Sequence, residues 1–269
     1  TYQQLYSIPA SLGARVEKLI LRPEHGYLPD LEELSRLADA GVSLICLNNP
    51  NNPTGALMPE SLLREVVAIA QSHGAYLLCD EVYRHLTQAE GYSPSIVELY
   101  EKGISVSSMS KVFSLAGLRL GWIASRDPKV LEECRIHRDY DLISCGVFDE
   151  AAAALALQHS DKLLERNRGI IRENLSILDA WVQSEPHLSY VKPQAGTTAL
   201  VSYDLDIPSY DFCQELYQTT GVFVTPGACF ELEHCVRIGY ACSRDTLIQG
   251  LAQFHAFLAA KSSSAASNK

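Results

Sequence analysis

Lys111 lies in the segment Ser107-Ser108-Met109-Ser110-Lys111, and Arg119 follows it by eight residues. Upstream stand Asn52-Pro53-Thr54-Gly55 and Asp80-Glu81-Val82-Tyr83. A lysine amine can form a Schiff base with an aldehyde, while hydroxyls and a guanidinium suit a phosphate dianion. A carboxylate can pair with a protonated pyridine nitrogen, and a phenol can donate to an oxygen on the opposite side of the ring. Pyridoxal phosphate requires all of these groups at once, so the set in this order reads as a site for that cofactor.

Each residue also has a simpler reading. A lysine at a strand-to-helix junction is usually a solvated charge, and a serine such as Ser107 often caps a turn. Asp80 ends an apolar run, where a carboxylate needs a cation or a donor; a pyridinium would serve, and so would Arg84. Tyr83 can share a face with Asp80 across one turn or simply fill the core. Asn52 belongs to the turn-rich run Asn48-Asn49-Pro50-Asn51-Asn52-Pro53-Thr54-Gly55, a loop that the apolar stretch Leu44–Leu47 would deliver to a sheet edge. Arg237, in Val236-Arg237-Ile238-Gly239-Tyr240, stands among strand-forming apolar residues and calls for an anion. That anion is either a substrate carboxylate held bidentately or an internal acid.

Positioning these residues requires strands that end at one edge. Strand-length apolar runs at Arg15–Leu21, Val42–Leu47, Tyr76–Cys79, Ile104–Ser107 and Leu120–Ala124 alternate with helical patterns near Gln3–Leu12, Leu31–Ala38, Pro59–His73 and Pro128–Arg138. The alternation predicts an α/β unit with a mainly parallel sheet flanked by helices, over residues 1–160. In such sheets ligands bind beyond the carboxyl ends of the strands, where Asp80 and the loops of Asn52 and Lys111 would converge. A long helical pattern at Asp161–Ser184 opens a smaller α+β unit over 161–262. Its expected strands are Leu188–Val191, Thr197–Tyr203, Gly221–Val224 and Cys235–Tyr240, with helices at Tyr210–Thr219 and Arg244–Ala259. The small, polar ending, 263–269, is expected to be a frayed tail.

Bulk composition narrows the partners. With 269 residues, 47% of them hydrophobic, the chain can bury a sizeable core. Lys+Arg of 22 against Asp+Glu of 32 leaves a net charge of −10, which disfavours nucleic acid and anionic membrane surfaces and points to a small molecule. The eight cysteines are scattered, without a C-x-x-C, so buried free thiols in a reducing, cytoplasmic setting are expected rather than disulfides or metal ligands. No apolar stretch reaches membrane-spanning length. Asn174-Leu175-Ser176 matches a glycosylation sequon but falls in a helical, charged stretch. The first residues, beginning at Thr1, run straight into a helical pattern, as though the domain had already begun.

Taken together, these motifs resemble those of class I/II aminotransferases of fold type I, over nearly the whole chain. The resemblance implies pyridoxal phosphate as cofactor, with Lys111, Asp80 and Tyr83 catalytic. It further implies cofactor contacts from Tyr2, Asn52, Ser108, Ser110 and Arg119, substrate contacts from Asn52 and Arg237, and a homodimer. Members of the family carry a further stretch before the point matching Thr1, including a loop that helps hold the phosphate. The implied reaction moves an amino group between an amino acid and a 2-oxo acid. Relatives specific for dicarboxylates use a second arginine after the lysine, whereas Tyr140–Glu150 has none, which disfavours aspartate. Pro29-Asp30-Leu31-Glu32-Glu33-Leu34 and Arg237-Ile238-Gly239-Tyr240-Ala241-Cys242 are also similar to enzymes that cyclise an arginine-derived amino acid, so a cyclase or lyase is the alternative. A non-catalytic module is a third reading.

Overall fold

The computed structural model describes residues 1–267, with side chains as far as residue 262. Its first half alternates helices and strands: α1 (Gln4–Ser11), α2 (Leu31–Asp39), β1 (Leu44–Asn48), α3 (Glu60–Ser72), β2 (Tyr76–Asp80), α4 (Ile96–Leu99), β3 (Gly103–Ser108), β4 (Gly121–Ser125), α5 (Pro128–Asp141) and α6 (Val147–Gln158). The strands form a sheet in the order β1-β2-β3-β4, parallel except for the antiparallel β3–β4 pair. The chain between β3 and β4 holds no crossover helix, only a single short 3-10 turn at Ala116–Leu118, so it returns antiparallel.

Local chemistry accounts for the helix limits. Asp30 caps α2 by accepting the Glu33 N–H at 2.9 Å. In α3 the buried residues Leu63, Val66, Val67 and Ala70 recur at helical spacing and face β1 and β2, joining one core with Leu34, Ile45, Leu47, Leu77 and Cys79. Gly74, at φ +65°, carries the chain out of the helix into β2. Each of these large side chains contributes roughly 1.5–3 kcal/mol through removal from water.

The second half holds α7 (Ser160–Ser184), β5 (Leu188–Tyr190), β6 (Thr198–Tyr203), α8 (Ser209–Thr220), β7 (Thr225–Pro226), β8 (Cys235–Gly239) and α9 (Arg244–Ser267). Its sheet is antiparallel in the order β5-β6-β8-β7. A large core joins this sheet and its helices to Tyr83, Leu86, Met109, Val112 and Phe113 of the first half. The helix α7 also reaches across, with Asn167 donating to the Val112 carbonyl at 2.8 Å and Arg168 to that of His85 at 2.8 Å. It thereby braces the two segments that carry Tyr83 and Lys111.

Several expectations are corrected. Arg15–Leu21 forms no strand, because a strand exists only through a ladder and none of the segments packed against it pairs with its backbone among the described residues. Gly221–Val224 is not a strand either: Gly221, at φ +77°, ends α8, and the ladder with β8 begins at Thr225. The helix α6 comes in addition. Of the ending expected as a tail, the backbone is helical to Ser267, while Asn268 and Lys269 lie outside the described residues. All eight cysteines are free, and only Cys229 is exposed. Asn174 is buried and donates to the carbonyls of Tyr240 and Cys242 at 2.8 and 2.9 Å, so the sequon has a packing role. No helix among the described residues is long and apolar enough to cross a membrane.

Candidate active site

The parallel register brings Asn48 and Asp80 side by side at the carboxyl ends of β1 and β2, with Ser108 ending β3 next to them. The loop after β1 is held from within by its own asparagines. Asn48 Oδ1 accepts the Asn52 N–H at 2.7 Å, Asn49 Oδ1 accepts that of Met58 at 2.8 Å, and Asn51 Oδ1 accepts the Thr54 hydroxyl at 2.8 Å. Gly55, at φ +72°, closes the loop against Pro193, where a Cβ would come within 2.5 Å of the proline Cβ. Its carbonyl then takes the N–H groups of Gln194 and Ala195, tying the loop to the approach to β6.

That anchoring lets the loop meet Arg237 of β8. Arg237 Nη1 donates to Asn52 Oδ1 at 3.2 Å and Nη2 to Thr225 Oγ1 at 3.0 Å, and the guanidinium lies 5.1 Å from the centre of the Phe230 ring. A guanidinium can only donate, so it is the Asn52 oxygen that faces it, which leaves the amide N–H groups for another acceptor. Arg237 is half-buried and has no acid within ion-pair distance among the described residues. The internal acid considered from the sequence is therefore not found.

Asp80 presents the opposite charge, with no cation in ion-pair distance among the described residues. It is 8% exposed, and its carboxylate accepts a hydrogen bond from the Val82 N–H at 3.1 Å. Burial pushes its pKa up, the Val82 bond offsets part of that, neighbouring Glu81 adds to the rise, and Lys111 lowers it slightly. Arg84 does not pair with it. That guanidinium bonds Glu98 at 3.0 Å and the Ser93 carbonyl at 2.8 Å and stacks on Tyr92. Tyr83 is buried, and burial raises its pKa; a bond with the Thr197 side chain and the charge of Arg237 act against the rise. Asp80 and Tyr2 add to the rise. Tyr2 is 45% exposed and accepts from Gln4 at 3.1 Å.

Beyond β3 the chain turns sharply. Met109, Val112 and Phe113 are buried as anchors, and the Ser110 N–H donates to Ser108 Oγ at 3.2 Å. Lys111 is exposed, and its amine makes no hydrogen bond or ion pair among the described residues. The Met109 N–H bonds the Leu120 carbonyl at 3.0 Å, and Ser108 pairs with Gly121 across the ladder, so Arg119 returns beside Ser108 and Ser110. Arg119 adopts a left-handed φ of +52°, and its Nη1 donates to the Ala116 carbonyl at 2.8 Å.

The site thus gathers at one sheet edge a carboxylate and a guanidinium that each lack an opposite charge among the described residues, an amine, and the serines of the turn that Arg119 follows. The residues fit pyridoxal phosphate, because the buried Asp80 carboxylate lacks the cation that a protonated pyridine would provide. Among the described residues no group of three or more His, Cys, Asp or Glu could hold a metal ion. The description "Aminotransferase class I and II" matches residues 1–254.

The chain belongs to the class I and II aminotransferase family.

Among its relatives, capreomycidine synthase of Streptomyces vinaceus is 31% identical over 252 residues, covering 93% of this chain and 64% of that protein. Aspartate aminotransferase of Pyrococcus horikoshii is 29% identical over 244 residues, covering 88% of this chain and 62% of the relative. The structure of a PLP-dependent aminotransferase from Streptococcus suis superposes with a TM-score of 0.92 at 49% identity, over 96% of this chain and 68% of that one. The chain thus spans less than two thirds of the length of these two curated relatives. For this aminotransferase-family chain, sequence reasoning missed Thr225, Phe230, Thr197 and Asn48 at the site. Thr225 becomes visible only through the β7–β8 register and Phe230 only through the turn that follows β7, and Asn48 was read merely as part of a turn-rich run.

Proposed function

We propose that this chain holds pyridoxal phosphate and moves an amino group between an amino acid and a 2-oxo acid. The observation that carries the reading is the buried, unpaired Asp80 carboxylate facing the same sheet edge as the free Lys111 amine. Bound there, the cofactor supplies an electrophilic aldehyde carbon and a cationic ring that withdraws electrons from the substrate α-carbon. Asp80 holds the ring nitrogen protonated, since a buried carboxylate is stabilised by an adjacent cation. Lys111 Nζ would attach the cofactor's aldehyde carbon and would move a proton at the substrate α-carbon. Tyr83 and the Asn52 amide would donate to the ring oxygen, and Tyr2 would cover a ring face. Ser108, Ser110 and Arg119 hold the phosphate. Arg237, whose remaining N–H groups lack an acid, takes the α-carboxylate.

Tyr140–Glu150 contains no arginine, so aspartate is not the favoured donor. A division at 160/161 into a larger cofactor unit and a smaller unit is part of the same reading, supported by the two separate sheets. So are a homodimer, for which exposed Tyr140, Ile143, Val147 and Phe148 provide apolar surface, and a cytoplasmic setting suited to eight free thiols. A cyclase or lyase is the second reading, favoured by the similarity to capreomycidine synthase.

The test is the absorbance of purified protein with pyridoxal phosphate, before and after borohydride, for wild type and Lys111→Ala. A visible band, reduced to a stable adduct whose mass maps to Lys111, supports the reading. Absence of the band in wild type overturns it and leaves a non-catalytic module. Given the band, release of a 2-oxo acid from an amino donor supports transfer, and a cyclic product without an acceptor supports the second reading.

A further inference from the structure

We propose that Thr225 and Phe230 are positioning residues that orient Arg237 and thereby decide which of its N–H groups meet a substrate carboxylate. The proposal rests on the reading of Arg237 as the carboxylate-binding residue and goes one step behind it. Thr225 stands directly opposite Arg237 in the β7–β8 ladder, so both side chains leave the same face of the sheet. The Thr225 hydroxyl accepts from Nη2 at 3.0 Å while Asn52 accepts from Nη1 at 3.2 Å, and each of those nitrogens keeps one further N–H. The Phe230 ring, 5.1 Å from the guanidinium carbon, closes one face of the plane. A carboxylate is left an approach in the plane, toward the N–H groups that Thr225 and Asn52 do not use.

The fold holds these two residues firmly. Phe230 ends a short 3-10 turn, Gly227–Phe230, that begins directly after β7. Gly227 leaves no room for a side chain, because a Cβ would lie 2.3 Å from Cys235 Sγ and 2.5 Å from the Leu232 carbonyl. Next to the ring, Glu231 takes φ +61° and its carboxylate binds Lys18 at 2.5 Å, fastening the turn to the segment before α2. Thr225 is β-branched and stiff about χ1, so its hydroxyl is a fixed acceptor where a longer side chain would wander. All of Arg237's partners among the described residues are neutral, so they orient the charge without cancelling it.

The experiment compares the holoenzymes of wild type, Thr225→Val, Thr225→Ser and Phe230→Leu in binding 2-oxoglutarate by calorimetry. Propylamine, an amine without a carboxylate, is reacted with each in parallel and followed at the cofactor absorbance band. Losing one charge-assisted hydrogen bond predicts 2-oxoglutarate binding about tenfold weaker in Thr225→Val, with Thr225→Ser restoring it. Losing the ring face predicts about threefold weaker binding in Phe230→Leu. Reaction with propylamine stays at the wild-type rate in all variants, a result that a general structural defect would not give. Unchanged 2-oxoglutarate binding in Thr225→Val, or equal losses toward both probes, overturns the proposal. A normal band with no 2-oxoglutarate binding by wild type overturns the assignment of Arg237 and this proposal with it. Loss of the wild-type band itself marks failure of the cofactor reading.

Discussion

Replacing Asp80 with Asn separates what this carboxylate costs the fold from what it does for a ligand. The side chain is 8% exposed and accepts one bond, from Val82 at 3.1 Å, so most of its lone pairs are desolvated without compensation. Such a buried, incompletely paired group costs about 2 kcal/mol, and the neutral amide, which keeps its Oδ1 for Val82, removes roughly half of that. Asp80→Asn is therefore expected to raise the stability of the cofactor-free protein at pH 7 by about 1 kcal/mol, or ~3 °C in Tm. The sign with pH follows from burial raising the folded pKa above the unfolded one. Between those two pKa values the folded state keeps a proton that the unfolded chain has lost, so wild-type stability falls as pH rises through that window. The advantage of Asn accordingly shrinks toward zero in acid, below both pKa values. Adding pyridoxal phosphate should reverse the order. Loss of a buried charge pair weakens binding by about 3 kcal/mol, so ligand at ~100 times the wild-type Kd stabilises wild type by ~2.7 kcal/mol and the variant by only a few tenths. Urea unfolding of both proteins at pH 7 and pH 4, with and without cofactor, measures each quantity. A cofactor-free Asn variant less stable than wild type at pH 7, or an advantage that persists unchanged in acid, would refute the reasoning.

Three other outcomes follow from the same geometry. Lys111→Ala should abolish the borohydride adduct yet change stability by less than about 0.5 kcal/mol, because Lys111 is exposed and without a partner among the described residues; a large loss in thermal unfolding would contradict this. Glu81→Ala should destabilise by about 3 kcal/mol in urea, since the buried carboxylate accepts from Ser95 at 3.1 Å, the Ile96 N–H at 2.7 Å and Ser105 at 2.9 Å, all of which would lose their acceptor. Burial lowers the His85 pKa to about 4, and its Nδ1 has no hydrogen-bond partner among the described residues. The folded state thus binds fewer protons than the unfolded chain between pH 4 and the ordinary histidine value, and stability is lost as pH falls through that window. His85→Gln should flatten that part of the stability profile, and an unchanged slope would show that His85 does not cause it.

What the amino-acid sequence determined by itself lies within short windows. The helical spacing of Leu63, Val66, Val67 and Ala70, the Asp30 cap and the Gly74 exit are contained in stretches shorter than a few turns, and the corresponding helices form close to where periodicity predicts them. The alternation of these patterns was enough to place Asp80 and the loops of Asn52 and Lys111 at one edge, as the parallel register does. What only the tertiary structure decided concerns partners far apart in the chain. Arg15–Leu21 has a strand's composition, but a ladder requires a neighbour, and composition cannot supply one. Arg84 is four residues from Asp80 yet turns to Glu98, so proximity in sequence misjudged the pairing. Arg237 meets Asn52 across 185 residues and meets Thr225 only because β7 stops where it does against β8. Hydrogen bonds and desolvation depend on distances of a few ångströms, and those are set by how the loops and helices join the two halves of the chain. That is why the chemistry of Lys111 could be read from residue types, while the orientation of Arg237 and the isolation of Asp80 had to be read from the fold.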